Sequence, residues 1–285
     1  MGLRDKSAVA IQGEEGSNSA RAARQLLGPD IVFLSCSSFQ EVFSVLDDGR
    51  APLAVLPFEN STAGLVTDVV DRVLQLVPGP PLCGKQETQV AISFVAAALP
   101  GAGAQVRRLL THPVAAAQCR AWIHRAGLEV LHASDTAGAA RLVKEQRDPT
   151  VAALCPQEAA ALHGLEIIAT GCNDAARTVT RFFLVESGDV RPQARDDARL
   201  LLLRPAASGL AQAAALLPKA GPLLRAVHSR PVPGVPGTYV FLIELAGADV
   251  AAAVDDLLGA ARAQDLGARV VASMRAAPSF GISTG

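Results

Sequence analysis

Four stretches of the chain share one pattern, in which a short apolar run is followed by polar residues and then by a segment with helical periodicity. Short apolar runs bounded by polar residues are typical of strands buried on both faces of a sheet. Strands that alternate with helices indicate an α/β fold with a largely parallel sheet. The four apolar runs are Ser7–Gln12, Leu53–Leu56, Leu128–Leu131 and Val151–Leu154.

Polar loops and helices are predicted after these strands. In such folds, ligands bind at the carboxyl ends of the strands, so these loops are where a site is expected. Helices are predicted over Ser19–Leu27 and from about Val66 to Leu76. Two more are predicted after the third and fourth loops, ending at Val143 and at Leu162. The loops are Gly13–Ser17, Pro57–Gly64, Ser134–Gly138 and Cys155–Gln157.

The pattern changes after residue 185. Residues 186–197 are polar, contain Gly and Pro and have no apolar period, so they are predicted to be a linker. Beyond them the order βαββαβ predicts a ferredoxin-like unit. We therefore predict a first domain over residues 7–185, a second over 198–277 and a loose tail over 278–285. The βαββαβ elements are Leu200–Arg204, Leu210–Leu217, two strands around Pro231–Gly234, Val250–Ala263 and Ala268–Met274.

Composition narrows the class of protein. Half of the 285 residues are apolar and the formal net charge is −1. A charge balance near zero provides no basic surface for nucleic acid or for a membrane, so neither partner is expected. The start of the chain lacks the apolar run of a signal peptide, and no apolar stretch is long enough to span a bilayer, so a cytoplasmic location is predicted.

Cysteine and histidine spacing gives no metal or disulfide prediction. Both residue types occur five times at wide, irregular intervals, without C-x-x-C or H-x-x-x-H spacing. We therefore predict no disulfide framework, no metal and no cofactor, and we interpret the cysteines as small buried hydrophobes.

Two groups of neighbouring residues carry the candidate chemistry. Thr180 and Arg181 stand side by side at the start of an apolar strand; a guanidinium suits a carboxylate, and a hydroxyl can donate a hydrogen bond to an oxygen. Glu59 is a candidate acid or base, and Asn60 with Ser61 can donate to a bound anion. The simpler interpretation of each segment is a strand end, a turn or a helix cap.

The loop Gly13–Ser17 follows a strand and opens a helix, which invites comparison with nucleotide-binding loops. Its spacing matches neither G-x-G-x-x-G nor a P-loop, and two acidic residues would repel phosphates, so that interpretation is rejected. Ser17 and Ser19 are predicted helix caps, and Ser17 is also a candidate for binding a substrate carboxylate. Gln118 is the one amide in a segment of small residues, where a surface position is the simpler interpretation.

Taken in order, these blocks resemble those of the prephenate dehydratases. The resemblance spans roughly Val9–Val185. The βαββαβ unit that follows resembles the ACT domain, the usual C-terminal regulatory unit of that family. The blocks are Ala54–Ser61, His112-Pro113 with Gln118-Cys119, Asp135–Ala140, Ala152–Leu154 with Gly164-Leu165, Thr180–Phe182, and Ser229–Pro231.

The resemblance implies a fold of two α/β subdomains with a cleft between them, like type II periplasmic binding proteins, followed by the ACT domain. It implies conversion of prephenate to phenylpyruvate, CO2 and water, a step of L-phenylalanine biosynthesis, without a cofactor. It further implies a homodimer or homotetramer with L-phenylalanine as an effector at the ACT domain.

The resemblance also implies roles for individual residues. Thr180 matches the Thr of the family's T-R-F motif and is expected to contact the departing hydroxyl, while Glu59 is a possible proton source. The expected substrate-orienting residues are Asn60, Ser61, Gln118, Arg181, Ser17 and Thr178. The expected effector-binding residues are Gly209, Leu210, His228, Ser229, Arg230 and Pro231.

Several positions depart from the family pattern. Thr178 stands where Asn is usual, Val114 where Gln is usual and Asn18 where an aromatic is frequent. In the second domain, Ala207–Leu210 replaces Pro-Gly-Ala-Leu. His228 replaces the Glu of Glu-Ser-Arg-Pro, which removes a partner for an effector's ammonium and predicts weakened or altered phenylalanine control.

Two alternatives stay open at this stage. Arogenate differs from prephenate by an amine in place of a keto group, and no residue separates the two substrates, so an arogenate dehydratase is one alternative. The other is a non-catalytic protein that binds or senses small molecules, since both domains of the family bind ligands of the amino-acid type.

Overall fold

The computed structural model describes residues 8–205 and 210–277. It separates into two compact units. One contains the chain up to Val66 together with Gln89–Phe182, and the other contains Thr67–Thr88 together with the chain from Phe183 onward. The domain boundaries expected from the sequence remain predictions.

The first unit contains two sheets. The first sheet has the strand order β2-β1-β3-β11-β5, in which β1 pairs in parallel with both β2 and β3. Strands β5 and β11 continue past the boundary between the units. The elements are β1 Val9–Gln12, α1 Asn18–Leu27, β2 Phe33–Cys36, α2 Phe39–Asp47, β3 Leu53–Asn60, β4 Gly64–Leu65, β5 Leu82–Ala91 and β11 Val179–Ser187.

Strand β3 is longer than the sequence predicted, and this is a correction. Residues from Pro57 onward were expected to form a loop, but the strand continues to Asn60. Pro57 lies beyond the last β1–β3 pair, Ile11 opposite Val55, so it removes no hydrogen bond from that ladder. As a result Glu59 and Asn60 are strand residues with fixed directions.

The second sheet of the first unit has the order β10-β6-β9-β7-β8. Its strands β7, β8 and β9 are parallel, whereas β6 runs antiparallel to β9 and to β10, so the prediction of a largely parallel sheet holds only for part of it. The elements are β6 Val95–Ala98, β7 Arg108–Thr111, α4 Pro113–Gln118, α5 Arg120–Ala126, β8 Glu129–His132, α6 Thr136–Gln146, β9 Val151–Cys155, α7 Gln157–Leu162 and β10 Glu166–Ala169.

We refer to residues 9–66 with 178–182 as lobe A and to residues 92–177 as lobe B.

Small side chains allow dense packing between the second sheet and its helices. The core of lobe B is rich in fully buried alanines on α6, β9 and α7, such as Ala139, Ala153 and Ala160. Short side chains let a helix approach a sheet closely, which fixes where the loops at the strand ends are placed.

The second unit contains a four-stranded antiparallel sheet of order β13-β14-β12-β15 with the βαββαβ element order. This is the ferredoxin-like architecture predicted from the sequence. Strand β11 ends at Ser187, before this unit's first strand begins at Ala198. The elements are β12 Ala198–Arg204, α8 Leu210–Leu216, β13 Leu224–Pro231, β14 Tyr239–Ala246, α9 Val250–Ala263 and β15 Gly267–Met274.

Residues 67–88 pack against this sheet. They include α3 (Thr67–Val73), shorter than the predicted helix from Val66 to Leu76. At Gly84 an added Cβ would lie 2.8 Å from the Met274 Cε, so the absence of a side chain allows β5 to approach the sheet. In the part of the chain that the structure describes, no helix combines the length and apolar character needed to cross a bilayer.

Candidate functional site

The candidate site lies where β3 and β11 run side by side in lobe A. The backbone N–H of Ser61 donates to the Val179 carbonyl (2.8 Å), and the Val179 N–H donates to the Ser61 Oγ (3.0 Å). These two contacts bring the segment from Glu59 to Ser61 beside the segment from Thr178 to Arg181. The structure therefore brings six of the predicted site residues together.

Asn60 is at the centre of this group. Its Oδ1 accepts from the backbone N–H groups of Thr62 (2.9 Å) and Ala63 (2.8 Å), the geometry of an Asx turn. Since backbone N–H groups can only donate, they fix which side of the amide is oxygen. The Nδ2 of Asn60 then donates to the Thr180 Oγ1 at 2.8 Å.

The orientation of Asn60 determines what Thr180 can do. A hydroxyl has one proton and two lone pairs, and the contact with Asn60 uses a lone pair. The proton of Thr180 is not spent on Asn60 and can be donated elsewhere. Thr180 is buried, with 7% of its surface exposed, so such a hydrogen bond forms at low local dielectric.

Glu59 and Arg181 form an ion pair beside that hydroxyl. The Arg181 Nη1 donates to the Glu59 Oε2 at 2.8 Å, and the guanidinium also stands 5.4 Å from the centre of the Phe58 ring. The Arg181 side chain is 10% exposed and that of Glu59 is 31% exposed. Because Glu59 acts as an acceptor in this ion pair, Thr180 is favoured over Glu59 as the hydrogen-bond donor to a leaving group.

Gln118 reaches this group from lobe B. Its Nε2 donates to the Asn60 Oδ1 at 3.2 Å, the longest of the three contacts at that oxygen. The backbone holds Gln118 in place: its carbonyl accepts from the Asp174 N–H, and the Asp174 carboxylate accepts from the Ala121 N–H at the start of α5. Gln118 is therefore a buried amide at the end of α4, and the simpler interpretation as a surface residue is wrong.

Thr178 and Ser17 complete the set of predicted residues. Thr178 is 3% exposed and its Oγ1 lies 3.3 Å from the Thr62 Oγ1, so this replacement for the family's Asn still forms a hydrogen bond. Thr62 was not identified from the sequence, although Asn60 two residues before it is a turn signal. Among the hydrogen bonds of the described residues, the Ser17 hydroxyl accepts from the Ala20 N–H and caps α1, as predicted, and Ser19 lies inside that helix rather than capping it.

His112 stands at the N-terminus of α4, the helix that carries Gln118. Its Nδ1 accepts from the Val114 N–H at 3.2 Å and caps the helix. Burial lowers the pKa of His112 from its ordinary value of 6.5; Asp135 opposes that shift and His132 adds to it. A neutral imidazole with an acceptor at Nδ1 agrees with both observations.

The His112 pKa predicts a pH dependence of stability. Since the folded state holds the proton less tightly than the unfolded chain, the free energy of unfolding falls as the pH drops below about 6.5, until the lower folded pKa is passed. His112→Asn keeps a capping acceptor without a titrating ring. We expect the fall in Tm between about pH 7.5 and about pH 5.5 to be smaller in this variant than in the wild type, measured by circular dichroism. Equal falls would contradict the assignment.

Four of the predicted effector residues of the second unit, His228 to Pro231, lie on β13. The His228 Nε2 stands 2.8 Å from the Oε1 of Glu244, a carboxylate on β14 that is 1% exposed. Arg230 donates from Nε and Nη2 to both carboxylate oxygens of Asp71 on α3, at 2.7 and 2.8 Å. Ser229 and Pro231 are exposed. Gly209 lies outside the described residues, as does the side chain of Leu210.

Glu244 places a buried acid beside the predicted effector motif. The acid lost at position 228 has a counterpart on the neighbouring strand, because β13 and β14 pair and Ala226 stands opposite Glu244. Sequence analysis missed it, since Glu244 lies in an apolar strand where a single acid has no local pattern. Its burial and its contact with His228 are tertiary properties.

Among residues 8–205 and 210–277, no group of three or more His, Cys, Asp and Glu side chains is placed to hold a metal ion. All five cysteines are buried and free, which confirms their interpretation as small buried hydrophobes. Burial raises the pKa of the Cys119 and Cys155 thiols to about 12, so neither is a thiolate nucleophile at neutral pH.

The chain is similar in sequence to known dehydratases. The family model described as prephenate dehydratase matches residues 9–189. A bifunctional N-acyl-homoserine lactone acylase/prephenate dehydratase of Komagataeibacter europaeus is 38% identical over 177 residues, covering 62% of this chain and 61% of that protein. Arogenate dehydratase 1 of Petunia hybrida is 34% identical over 188 residues, covering 65% and 43%. The chain thus matches about three fifths or less of the length of these two relatives.

A solved structure covers more of the chain. The prephenate dehydratase of Arthrobacter aurescens, determined in complex with L-Phe, is 28% identical and superposes with a TM-score of 0.79. The alignment covers 94% of this chain and 89% of that one, so it includes the ferredoxin-like unit as well as the two lobes.

Proposed function

This chain belongs to the prephenate dehydratase family of hydro-lyases, and we propose that it converts prephenate to phenylpyruvate, CO2 and water in the biosynthesis of L-phenylalanine. The observation that carries the proposal is the orientation of Asn60, which leaves the buried Thr180 hydroxyl with a proton to donate. The remaining site residues surround that hydroxyl with amides, hydroxyls and one compensated guanidinium. These groups suit a small anionic substrate.

The chemistry requires a donor at one oxygen. Prephenate loses its ring carboxylate as CO2 while the hydroxyl across the ring departs, and aromatisation drives both bond cleavages. Hydroxide is a poor leaving group, so a hydrogen bond or proton delivered to that oxygen lowers the barrier. Thr180 donates to the departing oxygen, which takes up one proton and leaves as water. Since a Thr hydroxyl is a weak acid, the hydrogen-bonded network around it has to stabilise the developing charge.

The other residues position the substrate and hold the donor. Glu59 and Arg181 keep a charge-compensated wall beside Thr180. The contact of the Gln118 amide with the Asn60 oxygen is the longest of the three at that oxygen, so Gln118 can exchange it for a substrate carboxylate. Ser61 and Thr178 fix the two strands, and Ser17 holds the start of α1. This division assigns binding and orientation to fixed groups.

The direct test is an assay with both candidate substrates. Purified protein is mixed with prephenate, and phenylpyruvate is followed by its absorbance in alkali; in parallel, arogenate is supplied and phenylalanine is measured. We expect turnover of prephenate above the nonenzymatic rate. A higher kcat/KM for arogenate would identify an arogenate dehydratase, the activity named for the Petunia relative. No turnover of either substrate would favour a non-catalytic binding or sensing protein.

The ferredoxin-like unit is proposed to be an ACT regulatory domain, in a cytoplasmic homodimer or homotetramer with L-phenylalanine as effector. The superposition on a relative solved with L-Phe supports this proposal. The first domain is assigned to residues 7–185, the linker to 186–197 and the regulatory domain to 198–277. The effector-binding residues are proposed to be Gly209, Leu210, His228, Ser229, Arg230 and Pro231.

Phenylalanine control is expected to be weak or altered. Arg230 is engaged in a two-contact ion pair with Asp71, and the Glu244 carboxylate is buried against His228, so neither charge is freely offered to an amino acid. The measurement is the rate of prephenate turnover against L-phenylalanine concentration, with D-phenylalanine as the control for specific binding. Strong inhibition by micromolar L-phenylalanine would contradict this expectation.

A further inference from the structure

The loop Gly13–Ser17 of lobe A packs against two helices of lobe B. At Gly16, which has a φ of +87°, an added Cβ would lie 2.8 Å from the Cα of Ala159 on α7. At Gly138 on α6, an added Cβ would lie 3.3 Å from the Glu14 Oε1. A Cβ atom 2.8 Å from another carbon would clash, so Gly16 needs to lack a side chain where the two lobes approach each other.

Two ion pairs cross this approach: Arg21 on α1 and Glu158 on α7 share a single contact of 3.2 Å, whereas Arg141 and Glu14 share three. Arg141 on α6 donates from Nε to both carboxylate oxygens of Glu14, at 2.8 and 3.0 Å, and from Nη2 to Oε1 at 2.9 Å. Its Nη1 donates to Glu145 one turn along the same helix. The hydrogen bonds to Glu14 and, to a smaller extent, to Glu145 raise the pKa of Arg141. Guanidinium–carboxylate pairs with two parallel contacts fix direction as well as distance.

We infer that Glu14 and Arg141 form a latch that holds the two lobes closed and thereby places Gln118 against Asn60. Glu14 lies on lobe A and Arg141 on lobe B, as do Asn60 and Gln118, respectively. Neither latch residue is among the residues assigned to the chemistry, so both are positioning residues. Closure is what lets an amide of one lobe reach a substrate held by the other.

The exposure of the pair suits a latch that opens on every turnover. The side chains of Arg141 and Glu14 are 39% and 30% exposed, so water and salt screen their attraction. A fully buried pair would be too costly to break for substrate entry. A screened pair instead shifts the equilibrium between open and closed lobes toward the closed form by a modest factor. Bound substrate can shift that equilibrium further in the same direction.

This bias has a kinetic signature. If the closed form binds substrate, removing the latch lowers the closed fraction of the free enzyme and raises the apparent KM, while saturating substrate restores closure and leaves kcat nearly unchanged. For Glu14→Gln we expect KM for prephenate to rise by about threefold to tenfold with kcat within about twofold, and added salt to raise the wild-type KM in the same direction. This kinetic readout rests on the proposed dehydratase function.

Two matched controls are present in the chain. Glu15 is the next residue of the same loop and pairs with Arg24 on α1, within lobe A. Glu145 pairs with the same Arg141 but within one helix of lobe B. Glu15→Gln and Glu145→Gln therefore remove the same charge and the same kind of contact without crossing between the lobes. We expect both to keep the wild-type KM.

A distance measurement tests the latch without any substrate. Nitroxide labels are placed at Gln40→Cys on α2 and Arg125→Cys on α5, which are exposed, while the five native cysteines are buried. Dipolar spectroscopy then reports the spread of distances between the lobes. We expect Glu14→Gln to add a longer-distance population that Glu15→Gln and Glu145→Gln lack. If Glu14→Gln matches these controls in label distance, the latch is disproved; absence of prephenate turnover in the wild type refutes only the proposed function.

Discussion

Replacing Thr180 with alanine is expected to lower kcat by about a hundredfold or more, the range of a lost acid–base or charge-stabilising contact. The variant removes the only group that we assign as donor to the departing oxygen. It also leaves the Asn60 Nδ2 without its partner at 2.8 Å, which we expect to cost about 1 kcal/mol of unfolding free energy. The rate of phenylpyruvate formation at saturating prephenate gives kcat, and thermal unfolding gives the stability.

Two variants separate the role of the hydroxyl from that of packing. Thr180→Ser retains the hydroxyl and should keep most of the activity. Thr178→Ala removes a hydroxyl two residues away that bonds to Thr62, and we expect it to change stability more than kcat. Turnover near the wild-type rate in Thr180→Ala, with Thr180→Ser unchanged, would show that another group delivers the proton.

Replacing Glu59 with alanine is expected to affect both activity and stability. It removes one acceptor of the Arg181 guanidinium, whose side chain is 10% exposed, so that charge loses an ion-pair partner in a site that water reaches poorly. Since the Glu59 side chain is 31% exposed, the cost should be about 1–2 kcal/mol of unfolding free energy, less than for a fully buried pair. We expect kcat to fall by about a hundredfold, because the wall beside Thr180 loses its charge balance.

Glu59→Gln distinguishes the two possible roles of this carboxylate. Glutamine keeps an oxygen that can accept from Arg181 but carries no charge and cannot transfer a proton. If Glu59 acts through the ion pair, the glutamine variant should retain more activity than the alanine variant, with an unchanged pH dependence of kcat. If Glu59 is itself the proton source, both variants lose activity equally. Wild-type turnover in Glu59→Ala would remove the residue from the mechanism altogether.

The sequence predicted the elements of the fold more reliably than their extent. Apolar runs and the following periodic segments identify β1, β9 and the βαββαβ unit because burial on one or two faces leaves a local pattern. The same reasoning ended β3 at Leu56 and placed Pro57–Gly64 in a loop, since proline and polar residues usually end strands. The strand continues because Glu59 and Asn60 pair with Leu65 and Gly64 of β4 and β3 lies beside β11, facts about strand pairing that no local pattern contains.

Partners distant in sequence could be found only in the structure. Asn60 and Thr180 are 120 residues apart, and Glu14 and Arg141 are 127 residues apart. Glu244 was overlooked for a similar reason, because a lone acid in an apolar strand gives no signal until its neighbour His228 is placed. In each case the contact depends on which strands are adjacent in a sheet or on which helix faces a loop.

By itself, the sequence determined the family, the α/β and ferredoxin-like elements, and a short set of candidate residues, because these follow from local periodicity and from the order of blocks along the chain. The tertiary structure alone decided how those residues act on one another. It fixes the amide of Asn60 through two backbone donors, pairs Arg181 with Glu59, and brings Gln118 and Arg141 of one lobe to Asn60 and Glu14 of the other. The physical reason is that hydrogen bonds and ion pairs depend on direction and distance, which are set by sheet order and lobe closure rather than by spacing in the sequence.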